Sequence, residues 1–299
     1  MKRTDSNFTS HGVKCAAWLY MPEGAKEPPI VIMAHGIAAQ RDFGLEPFAE
    51  KFVANGLAVL LFDYRNFGDS DGEPRNLVSP SRHVQDWQAA ISYARGLNGI
   101  NTKKIALWGS SFSGGHVLVT AAKTAGISAV VSQVPFVDGI STTMLFDLKY
   151  QLTGMFHGVR DLLRIVTFRR PHYIPVVAEP GVFALMNTPE AMPGFLAIVP
   201  KVTTWKNEAP ARILLTLPMY RPISYAAKIN CPVLMIYAEK DSLISPKAVE
   251  KTAAKIKDVR KVLLPTGHFE VYTGETFEKV VKMEADFLCE KLLGKQGGA

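Results

Sequence analysis

The sequence predicts an α/β protein: a mainly parallel sheet with helices on both faces, and a mostly helical segment inserted between two of its strands. Three observations predict it. Short β-rich runs alternate with stretches of helical periodicity, the pattern of parallel strands joined by crossover helices. The later runs have few alternating polar residues, as strands buried on both faces do. One run also leads straight into a cluster of small residues and then a helix, Lys104-Ile105-Ala106-Leu107-Trp108-Gly109-Ser110-Ser111.

Composition sets the outer limits. The chain has 299 residues, 47% hydrophobic and 20% charged, enough for a sizeable core in one or two domains. Its first dozen residues lack the apolar stretch of a secretory signal, and no run approaches the ~18 apolar residues of a membrane span. Cys15, Cys231 and Cys289 are too few and too scattered for a disulfide framework or a zinc spacing. Cys231, placed before Pro232 and an apolar run, reads as a packing residue. A cytoplasmic, reducing location is expected. The net charge of +7 is spread in pairs such as Lys103-Lys104 and Arg169-Arg170, with no basic stripe, so a nucleic-acid partner is not expected.

Taken in order, residues 7–10 and 13–21 flank His11-Gly12 and read as an antiparallel hairpin. Strands follow over 30–34, 57–63, 104–108, 128–134, 232–238 and 260–264. Between them, Val84, Trp87, Ala90, Ile91 and Ala94 recur at helical spacing over 82–97. Ser245-Pro246 reads as a side-chain cap followed by proline at the first helical position. The last helix carries Phe277, Val280, Val281, Phe287 and Leu288, and the Gly-rich tail beyond it is expected to fray.

Residues 136–228 break the alternation. They hold nine of the 19 prolines, and ten basic against six acidic residues. Leu145, Leu148, Leu152, Met155, Phe156, Val159, Leu162, Leu163 and Val166 trace an apolar stripe, which Gly154 and Gly158 are expected to divide into two helices. A 93-residue stretch is too long for a connection. The reading is a cap (136–228) over a discontinuous core (1–135 and 229–299), with the stripe packed onto the strand ends. Met144, Phe195, Trp205 and Tyr220 are its expected substrate-contacting wall.

The chemistry centres on Gly109-Ser110-Ser111-Phe112-Ser113-Gly114-Gly115. A tight strand-to-helix turn can present one side chain in a strained backbone state, provided residues two positions away are small. Ser111 stands between Gly109 and Ser113, with serine where glycine is usual. A register centred on Ser113, between Ser111 and Gly115, and a turn without chemistry are the alternatives. A serine hydroxyl needs a base and a group to orient it. The strand 232–238 ends in Glu239-Lys240-Asp241 and the strand 260–264 in Gly267-His268, so Asp241 and His268 are the candidate acid and base. Asp138 and Glu239 compete with Asp241. Among the other histidines, His116 is expected to pack inside its helix. An oxyanion needs preorganised N–H donors, expected at Phe112 and at Ile37, after His35-Gly36. The loop 63–72 matches no metal spacing and reads as a structural turn.

Through His35-Gly36, the 63–72 loop, the Gly109–Gly115 turn, Asp241 and Gly267-His268, the chain resembles the α/β-hydrolase superfamily over nearly its whole length. Its turn sequence looks like the capped dienelactone-hydrolase-related and polyketide-transferase-like group. The resemblance implies acyl transfer through an acyl-serine without cofactor or metal, on a small to medium, partly apolar ester or thioester. An acyltransferase and a non-catalytic ligand-binding protein remain alternatives.

Overall fold

The structure is a computed structural model and describes residues 1–294. The amino-terminal strands are β1 (Lys2–Asp5), β2 (Phe8–Ser10), β3 (Val13–Cys15) and β4 (Ala17–Met21). Next come β5 (Pro29–Ala34), α1 (Glu46–Ala54), β6 (Ala58–Phe62), α2 (Pro80–Arg95), β7 (Asn101–Ser110), α3 (Phe112–Lys123) and β8 (Ile127–Gln133). The segment expected to interrupt the sheet contains α4 (Gly139–Thr143), α5 (Leu148–Val166), β9 (Tyr173–Ile174), α6 (Ala191–Ile198), β10 (Ala209–Pro210) and α7 (Ile213–Thr216). The chain then completes the sheet with β11 (Val233–Ala238), α8 (Pro246–Ala253), β12 (Val259–Leu264) and α9 (Gly274–Leu293).

One eight-stranded sheet has the order β1-β4-β6-β5-β7-β8-β11-β12. It is parallel from β6 to β12, and β4 and β1 extend it antiparallel. Every residue of β5, β6 and β11 is buried, which is why these runs show no polar alternation. Helices α2 and α3 pack on each other and on the central strands, while α1 packs with α9. Among the described residues, no helix is long and apolar enough to cross a membrane.

Several elements differ from the sequence reading. The hairpin is shorter than expected: β2 pairs only with β3, and the chain breaks at Ala16 so that β4 can join the main sheet. Strand β1 was not anticipated, because Lys2–Asp5 is exposed and too polar to read as a strand, and neither was helix α1. Ser245 does precede α8, but its side chain makes no cap bond; its carbonyl accepts from Ala248 and Val249 instead. The expected fraying beyond Gly294 lies outside the described residues.

The largest correction concerns α5. It runs unbroken through Gly154 and Gly158, and these glycines, with Asp161, form its buried side. A Cβ on Gly158 would sit 2.6 Å from Leu215 Cγ, so the absence of a side chain lets α5 press against α7. Asp161 fixes that contact, accepting from His172 N (2.7 Å) and from Arg212 N (3.0 Å) and Nε (2.6 Å). The apolar stripe faces solvent, from Val159 at 44% exposed to Val166 at 70%.

Under α9, the sheet buries a carboxyl group. Glu284 is fully enclosed and accepts a 2.9 Å bond from Trp108 Nε1, while its other oxygen has no partner. Burial pushes this carboxyl up to about 8, so it holds its proton at neutral pH. The unfolded chain gives up that proton near 4.5, so stability falls as pH rises from there until the folded value is passed. Glu284→Gln removes the titration. It is expected to stabilise the protein by on the order of a few kcal/mol at pH 8 and negligibly at pH 4, read from urea unfolding at both values.

Candidate active site

The strand order creates the site. From β5 the chain steps to β6 on one side, then returns to place β7 on the other side of β5. At such a reversal, the loops leaving the two strands diverge and open a crevice at their carboxyl ends. His35-Gly36-Ile37 leaves β5 at this crevice and Ser111 leaves β7.

Ser111 has φ 57° and ψ −119°, a left-handed backbone that costs a non-glycine residue roughly 1–3 kcal/mol. The surroundings enforce it. Ser111 N donates to Gln133 O (2.9 Å) and Phe136 N donates to Ser111 O (2.8 Å). The turn is tight enough that a Cβ on Gly109 would overlap the Ser113 carbonyl, and one on Gly115 the Phe136 carbonyl. Across the crevice a Cβ on Gly36 would lie 3.1 Å from Ser111 Cβ, so glycine lets the two loops meet.

Serine at 113 is accommodated without strain on the turn. It is fully buried, and its hydroxyl shares a 2.7 Å hydrogen bond with Tyr64 Oη, which also accepts from Trp87 Nε1 at 2.9 Å. Ser113 therefore points into the layer beneath α3, away from His268. Of the two registers open in the sequence, Ser111 is the one aimed into the crevice, where its Oγ lies 3.0 Å from His268 Nε2.

His268 follows β12 and has 1% of its side chain exposed; its Nδ1 is 2.7 Å from Asp241 Oδ2. The other Asp241 oxygen accepts from Leu243 N and Ile244 N, both at 2.9 Å, which fixes the carboxylate in the loop after β11. Burial by itself lowers the imidazole pKa. The Asp241 charge and hydrogen bond outweigh it, Glu190 adds to them, and the net direction is upward.

Glu190 was not anticipated. One oxygen accepts from Ser242 N (2.9 Å) and Ser242 Oγ (2.5 Å), and the other from His268 N (2.8 Å). A single carboxylate just before α6 thus ties together the loops that carry Asp241 and His268. No periodicity or motif marks it, because its partners lie 52 and 78 residues away.

The competing residues are engaged elsewhere. Asp138 caps α4 and pairs with Arg221 (2.7 Å), while Glu239 is exposed. His116 is buried, 3.1 Å from His83 and 2.6 Å from Tyr220 Oη, and burial pulls it down to about 3. His35 is likewise neutral, at about 3. In the 63–72 loop, buried Asp63 accepts from Arg41 N (2.7 Å) and Asp69 N (3.2 Å) and pairs with the Arg41 guanidinium, as a structural turn requires.

Ser111, His268, His35, Gly36 and Ile37 line one narrow pocket, closed by Phe43, Leu45, Met186, Phe195, Ile198 and Phe269 among others. Its free volume is about 20 Å³, room for little more than one water molecule. Ile37 is thus at the pocket, and Phe112 opens α3 directly after Ser111. Of the four expected wall residues only Phe195 lines it. Met144 is 76% exposed at the end of α4. Trp205 packs behind Phe195 (5.4 Å) and faces a separate polar cleft with Arg75, Arg170 and Lys206. Tyr220 stacks on Phe136 and meets the edge of Phe112, on the far side of α3's first turn.

A model described as "Alpha/beta hydrolase family" matches residues 31–281. The chain belongs to the alpha/beta hydrolase family. It is 40% identical to the quorum-quenching protein AidA of Acinetobacter baumannii, over 95% of this chain and 93% of that one. It is 28% identical to the polyketide transferase af380 of Aspergillus fumigatus, over 98% and 99%. Among solved structures, the alpha/beta hydrolase GrgF from Penicillium superposes with a TM-score of 0.85 at 24% identity, over 98% and 100% of the two chains. At that identity the likeness speaks for the fold.

Two outcomes follow from this geometry. Ser113→Ala removes one buried hydrogen bond and should cost about 1 kcal/mol in urea unfolding, with Ser111 still reactive toward a serine-directed phosphonate. Glu190→Gln removes a charge that favours the imidazolium, so the His268 titration followed by NMR should move to lower pH.

Proposed function

We propose that this alpha/beta hydrolase acts by acyl-serine chemistry on a carboxylic ester or thioester. The observation that carries the reading is the continuous line from Asp241 through His268 to the Ser111 hydroxyl, with spacings of 2.7 and 3.0 Å. His268 takes the Ser111 proton as Oγ attacks the carbonyl carbon, while Asp241 holds the imidazole tautomer. The amides of Ile37 and Phe112 receive the oxyanion, and the dipole of α3 adds to the second. Collapse expels the alcohol or thiol, which takes its proton from His268, and water then releases the acid by the same steps. No cofactor or metal enters this scheme.

Residues 136–228 serve in this reading as a cap on the core formed by 1–135 and 229–299. Phe195, Met186 and Ile198 hold the acyl part, and anything beyond a few atoms must displace these side chains, since the free volume is only about 20 Å³. Cys15, Cys231 and Cys289 are all buried, which suits a reducing cytoplasm. A transferase is the second reading. It is favoured by the narrow, mostly apolar pocket, which would disfavour water as acceptor, and by the similarity to a protein named as a polyketide transferase.

A fluorophosphonate should add its mass to Ser111, and Ser111→Ala should lose the adduct and at least ~10³-fold in kcat/KM. An adduct on any other residue would remove the assignment. Across a panel of acyl esters and thioesters, Phe195→Ala should shift preference toward longer chains. Adding alcohols or amines separates the readings: a transferase forms new esters or amides where a hydrolase forms only acid.

A further inference from the structure

The exposed stripe of α5 is unlike the rest of the surface. Leu148, Leu152, Met155, Phe156, Leu163 and Val166 are each more than half exposed, and Leu145, Val159 and Leu162 nearly so. Met144 and Phe168, at 76% and 98%, extend the patch beyond both helix ends. Together these side chains present on the order of 1,000 Å² of apolar surface, beyond the ~300–600 Å² of the largest patch on most monomers. It matches the ~800 Å² that each partner gives up in a standard interface. The basic residues of the helix, Lys149, Arg160 and Arg164, fall outside the stripe and border it along one edge, while Asp161 lies on the buried side.

The patch is also shaped. Beside the ridge of α5 runs an apolar groove of about 320 Å³, lined by Leu148, Leu152, Met155, Leu214, Leu215 and Leu217. Ridge and groove lie side by side on one face. A two-fold axis would therefore seat the ridge of each copy in the groove of the other, the self-complementary arrangement that closed symmetry needs.

We propose that the protein is a two-fold dimer formed through α5 and its flanking groove. The dimer fixes the outer layer of the segment that walls the Ser111 pocket, because Tyr150 of α5 bonds the Ala184 carbonyl two residues before Met186. The assembly does not depend on the reaction proposed above.

Light scattering after size exclusion and sedimentation at concentrations up to about 100 µM test this. The wild type should have twice the chain mass, and Leu152→Glu with Phe156→Glu should have the single-chain mass. Both substituted side chains are about half exposed or more in one copy, so the variant should still unfold in one cooperative transition and keep its phosphonate labelling. A monomeric wild type at every concentration overturns the proposal, as does a dimer that survives the double substitution. Flotation with phosphatidylglycerol vesicles gives the third outcome: a wild type that is monomeric and floats, with a variant that does not, assigns the face to a membrane and also overturns the dimer.

Discussion

The site depends on one steric constraint, the near-contact of three backbones around the turn from β7 into α3. Ser111 holds its left-handed conformation because the chain on both sides of it is pinned to Gln133 and Phe136, and glycine stands wherever a side chain would separate the strands. Relax this packing and Ser111 returns to an ordinary dihedral, turning its hydroxyl away from His268. The strain of one residue is offset by the burial of a whole β-α-β unit around it.

Carboxylates carry the second level of organisation. Asp241, Glu190 and Asp63 each accept from backbone N–H groups of a loop at the carboxyl edge of the sheet, and Asp86 does the same for Arg65. A loop fixed this way needs few apolar contacts, which leaves its other side free for a pocket. The imidazoles nearby divide by partner. His268, near two carboxylates, has its pKa raised, whereas His83 and His116 face each other and burial lowers theirs. That contrast supports the role proposed for His268 as proton carrier.

What could be read from the sequence was whatever sits at a strand end. Ser111, Asp241 and His268 each follow a recognisable β run by a few residues, so local pattern alone located the side chains that the structure brings together. The parallel sheet was legible for the same reason, since unbroken apolar runs are themselves the signature of burial on two faces. Glu190, by contrast, acts across 78 residues of chain, and nothing local announces it. The wall residues failed for a related reason: in a segment rich in proline and short helices, apolar character does not say which layer a side chain joins. Trp205 packs behind Phe195 and turns to another cleft, Tyr220 joins the aromatic cluster at Phe112 and Phe136, and Met144 lies at the surface. The α5 stripe misled most directly. Apolar periodicity marks a face that will be covered, and here the glycines, not the leucines, face the protein's own core.

The protonated carboxyl of Glu284 beneath α9 has a calorimetric consequence. In mildly alkaline solution the imidazoles of the unfolded chain are already neutral, while its carboxylates are ionised. Folding then takes up part of a proton at Glu284, the share set by how far the pH lies from about 8, and the buffer must supply it. The heat of folding therefore includes the ionisation heat of whatever buffer is present. Phosphate and amine buffers would give different apparent enthalpies for the same molecule, and their difference would count the protons drawn into the core.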